Sequence, residues 1–201
     1  MIKMVCHGDS LTEASDLDKN HTWPLLVENK LNLKIINSGI GGDTSGGLLS
    51  RFYEDVVRHQ PDLVVILGGT NDLWWDLAVN LIQANIFAMA CQAQFHNIIP
   101  IVGLPLPLLM ENIQHQAMMA PIAGWQKCVQ KLSDLVTALK TSAGESDIVC
   151  LDFYYPFLDK NGNPLGKYYL ADGLHPNQQG HRLMAEKAVD LLRNQFPFNH
   201  K

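Results

Sequence analysis

Charge is sparse in this chain of 201 residues: Asp, Glu, Lys and Arg make up 17% of it, and Cys occurs only four times. Fifteen basic residues against 20 acidic ones leave a formal net charge of −5, with no Lys/Arg block. That balance lacks the basic footprint of a partner for nucleic acid or an anionic membrane. No apolar run approaches the roughly 20 residues of a membrane-spanning helix. The opening Met1–Cys6 is short and soon polar for a signal peptide, so a cytoplasmic chain is expected. Cys6, Cys91, Cys128 and Cys150 are far apart and form no C-x-x-C pair. They read as reduced core thiols, two in strands and two in helices, rather than a disulfide framework. Internal repeats, low-complexity tracts and linkers are also lacking, and the length suits one domain, residues 1–201.

What is present is alternation. Apolar strand-like runs occur at Ile2–Cys6, Leu33–Asn37, Leu63–Leu67, Ile98–Leu104 and Ile148–Asp152. Between and after them lie longer amphipathic segments, Thr22–Leu31, Leu48–His59, Leu77–Asn97, Ala123–Thr141 and Gln178–Asn194. Pro24 suits a first helical turn, and Pro61 with Asp62 breaks the chain before the third strand. Continuously apolar strands predict a parallel sheet covered on both faces. The fold class expected is α/β, a three-layer α/β/α sandwich on a five-stranded parallel sheet, with the flavodoxin-like order 2-1-3-4-5. Residues Pro105–Gly124 form the longest irregular stretch, rich in Leu, Met and Pro.

The polar residues of interest gather after the strands. The first strand is followed by Gly8-Asp9-Ser10-Leu11, the second by Asn37-Ser38-Gly39-Ile40-Gly41-Gly42-Asp43-Thr44, the third by Gly68-Gly69-Thr70-Asn71-Asp72. The fifth is followed, further on, by Asp172-Gly173-Leu174-His175. In a parallel sheet all four lie on the carboxyl edge, where open α/β folds carry their chemistry. A serine hydroxyl there is a nucleophile once a base lies within hydrogen-bond reach. His175 is the best placed of the eight histidines. Asp172, in the same tight loop, can hold one ring nitrogen and leave the other facing Ser10. The Ser10 N–H, the Gly42 N–H and the Asn71 amide are candidate donors to an oxyanion. No His-Glu-x-x-His spacing occurs, so no metal is expected. Gly39-Ile40-Gly41-Gly42 lacks the Gly-Lys-Ser/Thr ending of a phosphate loop, and no cofactor is expected either.

In these four segments the chain resembles the SGNH hydrolases, the GDSL esterases and lipases. The name-giving residues correspond to Ser10, Gly42, Asn71 and His175, and the family's triad carboxylate, three residues before the histidine, to Asp172. The blocks span positions 8 to 176 in order. The resemblance implies a three-layer α/β/α fold and metal-free serine hydrolysis of esters or thioesters through an acyl-enzyme. The Gly-x-Ser-x-Gly elbow of the α/β-hydrolases is absent, because Thr12 stands two residues after Ser10.

Each segment also has a plainer reading. Ser10 followed by Glu13 fits a capping box. Gly41-Gly42-Asp43 and Asn71-Asp72 fit turns before helices, and Asp172-Gly173 a simple turn beside a surface His175. The catalytic reading explains all four together. Asp9 and Asp43 read as supports for the loops, and His7 as either a site wall or a strand-end residue. Trp74-Trp75 offer a substrate wall or a cover for the core, and the run Leu104–Met110 with Met118-Met119 an apolar acyl pocket or mobile flap, or else a buried loop or an oligomer contact. Trp74 and Leu106 are the substrate-binding candidates. The expected partner is a small-molecule ester or an acylated carbohydrate, with short acyl groups favoured by the small domain. Alternatives are a carbohydrate O-acetylesterase, an acyl-thioesterase or lysophospholipase with the same residues, and, outside catalysis, a glycan- or lipid-binding module or a flavin or nucleotide carrier.

Overall fold

Residues 2–116 and 119–196 are described by a computed structural model. Five strands form one parallel sheet: β1 (Lys3–Gly8), β2 (Lys34–Gly39), β3 (Leu63–Leu67), β4 (Ile99–Leu104) and β5 (Val149–Asp152). Their order is β2-β1-β3-β4-β5, the flavodoxin-like order expected by analogy with doubly wound folds. Among the described residues eight α-helices accompany them: α1 (Ser10–Glu13), α2 (Trp23–Leu31), α3 (Ser45–Asp55), α4 (Thr70–Trp74), α5 (Val79–Phe95), α6 (Met110–Gln116), α7 (Trp125–Glu145) and α8 (Gln178–Gln195).

Side chains on a strand point alternately to opposite faces, so each apolar run feeds two cores. Val5, Val64, Ile66 and Val102 pack with Leu48 and Phe52 of α3, Ile82, Ile86 and Met89 of α5, and Leu132, Leu135 and Leu139 of α7. Met4, Cys6, Val65, Leu67 and Ile101 face the other way, against Trp23 and Val27 of α2 and Met184, Val189 and Leu192 of α8. Each such aliphatic side chain contributes about 1.5–3 kcal/mol on burial.

Several details depart from the sequence reading. The strands β1 and β2 run on through the glycines Gly8 and Gly39, which pair with each other in register. The helix α3 begins at Ser45 rather than Leu48, because the Thr44 hydroxyl accepts the Gly47 N–H at 3.2 Å. It ends at Asp55 and gives way to a separate 3₁₀ turn, Val57–His59. The stretch Pro105–Gly124 is not wholly irregular, since it contains α6; Ala117 and Met118 of that stretch lie outside the described residues. The four cysteines are free, but Cys91 is exposed on α5 and is not a core thiol.

Gly39 shows how tightly the carboxyl edge is built. A Cβ there would fall 2.1 Å from the Glu13 backbone nitrogen and 2.7 Å from the Thr12 carbonyl carbon. Strand β2 therefore ends flush against α1, and only a residue without a side chain fits. Gly144, exposed in the last turn of α7, has open space around it. In urea denaturation, Gly39→Ala is expected to lose roughly 2–3 kcal/mol through overpacking against backbone. Gly144→Ala should gain up to about 1 kcal/mol from helix propensity.

Candidate active site

Strand β1 delivers the chain to Asp9, which has extended backbone angles and caps α1: its Oδ1 accepts the Leu11 N–H at 3.0 Å. Ser10 is thus the first helical residue and not the cap, which corrects the capping-box reading. Both residues are good caps by type, and the one left extended takes the role. Glu13, freed from capping, reaches across to β2's outgoing loop, where its Oε2 accepts the Gly41 N–H at 2.7 Å.

The loop after β2 is a tight turn. The Asp43 N–H donates to the Ile40 carbonyl at 3.2 Å, and Gly42, at the third position, has φ +77°. That angle, with Gly41 outside the positive-φ region, makes a type II turn, which favours glycine at this position. Gly42 is exposed and has nothing within 4 Å of where its side chain would be, so its face is open. One amide hydrogen of Asn71, at the start of α4, goes to the Asp43 carbonyl (Nδ2···O 2.8 Å). The second N–H of that amide has no such partner and remains available.

The fourth segment closes the site from 165 residues away. His175 Nε2 lies 2.9 Å from Ser10 Oγ, and Nδ1 lies 2.6 Å from Asp172 Oδ2. With its proton on Nδ1, facing the carboxylate, the ring offers the Nε2 lone pair to the Ser10 hydroxyl. Asp172 Oδ1 accepts the amides of Leu174 (2.9 Å) and His175 (3.0 Å), so the carboxylate also folds its own loop. Burial pushes the Asp172 carboxyl up, but the bonds from the His175 ring and the two amides outweigh it and hold the group below the usual carboxylate value. Asp16 Oδ2 stands 3.9 Å from Nδ1, outside hydrogen-bond range.

Behind this edge lies a network that no linear motif marked. Arg51, on α3 and 16% exposed, donates through Nε to Asp43 Oδ2 (2.7 Å) and through Nη1 to Asp55 Oδ2 (2.5 Å). It also donates to the Ser38 carbonyl (3.0 Å) and, through Nη2, to the Gly8 carbonyl (3.0 Å). One guanidinium fork so ties the ends of β1 and β2 to the turn carrying Gly42. The sequence signal was there only as an Arg four residues before Asp55 on a helix, which is a common surface pattern. Asp72 likewise binds α4 to the start of α3, accepting the Ser45 N–H at 2.8 Å and the Ser45 hydroxyl at 2.5 Å. Asp43 is the loop support the sequence suggested.

His7 resolves to the strand-end role. It is fully buried, with Nε2 3.0 Å from the Leu48 carbonyl and its ring edge on to Phe52, and burial lowers its pKa to about 4. Trp74 is half-buried, packed edge to face on Trp125 with ring centroids 5.6 Å apart, and its Nε1–H donates to the Met119 carbonyl at 3.0 Å. Its neighbour Trp75 is 50% exposed. Leu106 does not line open space: it is 2% exposed, in the core cluster with Leu11, Phe153 and Phe157. The run around it is a buttress, because the Leu109 N–H donates to the Gly173 carbonyl (2.9 Å) and the Tyr169 hydroxyl to the Pro107 carbonyl (2.7 Å). Among the described residues no group of three or more His, Cys, Asp or Glu side chains is arranged to hold a metal ion, and no helix is long and apolar enough to cross a membrane.

The fold and this edge define the class, an ester-hydrolysing serine hydrolase. The chain belongs to the GDSL-like Lipase/Acylhydrolase family, whose profile matches residues 6–183. It is 33% identical to the esterase TesA of Pseudomonas aeruginosa over 106 residues, an alignment spanning 50% of this chain and 53% of that protein. It is 26% identical to an arylesterase of Vibrio mimicus over 195 residues, 94% of this chain and 88% of the relative. In structure it is similar to a lipolytic protein of the G-D-S-L family from Desulfitobacterium hafniense, with a TM-score of 0.81 and 26% identity, covering 96% of this chain and all (100%) of that one.

Asp9, next to Ser10, is a buried carboxyl. Its Oδ2 is buried without a hydrogen-bond partner, and burial pushes the carboxyl from 3.8 up to about 7 despite the Leu11 amide. The folded state therefore binds more protons than the unfolded chain between these two values, and stability falls as pH rises through that window. In Asp9→Asn the amide oxygen keeps the Leu11 bond and nothing titrates. The Tm of Asp9→Asn minus that of wild type is expected to grow by on the order of 5 °C from pH 4 to pH 8. A difference that is flat with pH contradicts a buried, raised Asp9.

Proposed function

We propose that the protein hydrolyses carboxylic esters of short acyl groups through an acyl-enzyme on Ser10. Ser10 Oγ attacks the acyl carbonyl as His175 Nε2 takes its proton. Asp172 keeps the ring in the required tautomer and stabilises the imidazolium. The Ser10 N–H, the Gly42 N–H and the free Asn71 amide hydrogen receive the oxyanion, where a single donor is worth on the order of 3 kcal/mol. The imidazolium then protonates the leaving alcohol, and water activated by the same nitrogen releases the acid. The observation that carries this reading is the chain Ser10 Oγ–His175–Asp172, with contacts of 2.9 and 2.6 Å, beside an open glycine turn.

The preference for short acyl groups is supported by the burial of Leu106 and Leu108, which spends part of the apolar run after β4 on the core. Small-molecule esters, including acylated carbohydrates, are the proposed substrates. A reducing, cytoplasmic location is favoured by four free thiols, and recovery of the activity in the cytosolic fraction checks it.

The test is a p-nitrophenyl ester series from acetate to octanoate. kcat/KM is expected to be highest at the short end. Ser10→Ala and His175→Ala should each lower kcat by on the order of 10⁴-fold or more. Asn71→Ala should lower it by about 10²–10³-fold with KM little changed. Wild-type rates in Ser10→Ala contradict the mechanism, and a maximum at octanoate contradicts the short-acyl reading.

A further inference from the structure

The turn that carries Gly42 has an unusual requirement. Its two central residues, Gly41 and Gly42, are both glycines, and types I and II of such a turn differ by a flip of the peptide between them. The flip reverses the direction of the Gly42 N–H. With no Cβ on either side, sterics give that peptide little preference. The observed turn is type II, with Gly42 at φ +77°, so contacts from outside must hold it.

Those contacts are identifiable. On the far side, Asp43 is held by Arg51 Nε at 2.7 Å and by Asn71 Nδ2 at 2.8 Å. On the near side, the Ile40 N–H donates to the Gly8 carbonyl at 3.0 Å. The Gly41 N–H, directly before the peptide that must not flip, donates to Glu13 Oε2 at 2.7 Å. Glu13 follows Ser10 by three residues on α1, and the site for a Gly41 Cβ lies 2.8 Å from Glu13 Oε2 and 3.9 Å from Ser10 Cβ. Nucleophile helix and oxyanion turn meet at this carboxylate. Asn37 adds a tie between the same two segments, donating through Nδ2 to the Thr12 carbonyl at 2.8 Å and accepting the Gly39 N–H at 3.0 Å.

We propose that Glu13 is a positioning residue for the oxyanion donor: its carboxylate holds the Gly41 N–H so that the Gly42 N–H stays aimed at the space beside Ser10. Glu13 touches neither the reacting atoms nor His175, and acts through the turn. The inference rests on the roles given above to Ser10, Gly42 and Asn71. A charge-assisted bond to a backbone N–H is well suited to the task, being short and directional. A Gln side chain supplies an acceptor oxygen at the same reach, whereas Ala supplies none.

The experiment measures kcat and KM for p-nitrophenyl acetate, and the Ki of phenylboronic acid, on wild type, Glu13→Ala, Glu13→Gln, Asn71→Ala and Ser10→Ala. Rates are normalised to intact folded protein by circular dichroism and Tm. Boronic acids form a tetrahedral adduct on a serine nucleophile and so report the oxyanion donors. Glu13→Ala is expected to lower kcat by about 10- to 100-fold and to weaken the boronate in parallel, with KM within about 2-fold of wild type. Glu13→Gln should recover kcat to within about 3-fold of wild type. Wild-type kcat in folded Glu13→Ala, a loss confined to KM, or no recovery in Glu13→Gln overturns the proposal. If Asn71→Ala and Ser10→Ala lose activity while Glu13→Ala does not, the role of Glu13 alone fails. If Ser10→Ala keeps its rate, the catalytic reading fails with it.

Discussion

The parallel register of the sheet is the constraint on which the site depends. Gly8 pairs with Gly39 and with Leu67, Leu67 with Gly103, and Leu104 with Asp152. The strand ends are therefore level, and the segments that follow β1, β2 and β3 start from one edge within a few ångströms of each other. The loop 172–175 joins them after the chain has passed β5. The contact between Ser10 and His175 is a consequence of this geometry rather than of local sequence, since the two residues are 165 positions apart.

Two carboxyl groups at this edge are driven in opposite directions by their surroundings. Asp172 is buried in part, yet three hydrogen bonds favour its charged form and keep it low. Asp9, one residue from Ser10, is wholly buried with one hydrogen bond and a bare Oδ2, and is pushed up to about 7. Deeper burial and fewer donors act together at Asp9, whereas at Asp172 shallower burial is outweighed by three bonds. Arg51 supplies the balancing positive charge on the other side. It joins two strand ends, the glycine turn and Asp55 in one fork, and it is three-quarters or more shielded from solvent at 16% exposure. Removing it would leave Asp43 and Asp55 without their shared counter-charge.

Much of this was legible in the sequence, for physical reasons that differ by element. Strands such as Leu63–Leu67 are continuous apolar runs because both faces of the sheet are covered, so they could be read directly, whereas the order 2-1-3-4-5 came by analogy with common doubly wound folds. Ser10, Gly42, Asn71, Asp172 and His175 were identifiable as candidates because each sits in a short segment whose residue types have few other uses in combination. Glu13 and Arg51 were not, because their partners Gly41, Gly8 and Ser38 come from other elements and leave no spacing to detect. The choice of Asp9 over Ser10 as the cap was also hidden, since it turns on which residue is extended. One-turn helices such as α4 carry too little periodicity to be seen. Leu106 was misjudged because an apolar, Pro-rich run reads alike whether it lines a pocket or, as here, props the 172–175 loop from within the core.

The proposed nucleophile is one hydroxyl, that of Ser10, and covalent labelling reads it most directly. The protein is treated with one equivalent of a fluorophosphonate, and the modified peptide is mapped by mass spectrometry. One adduct is predicted, on Ser10, forming much more slowly in His175→Ala and not at all in Ser10→Ala. An adduct on any other residue, or equal labelling of Ser10→Ala, would contradict the assignment of Ser10 as the nucleophile.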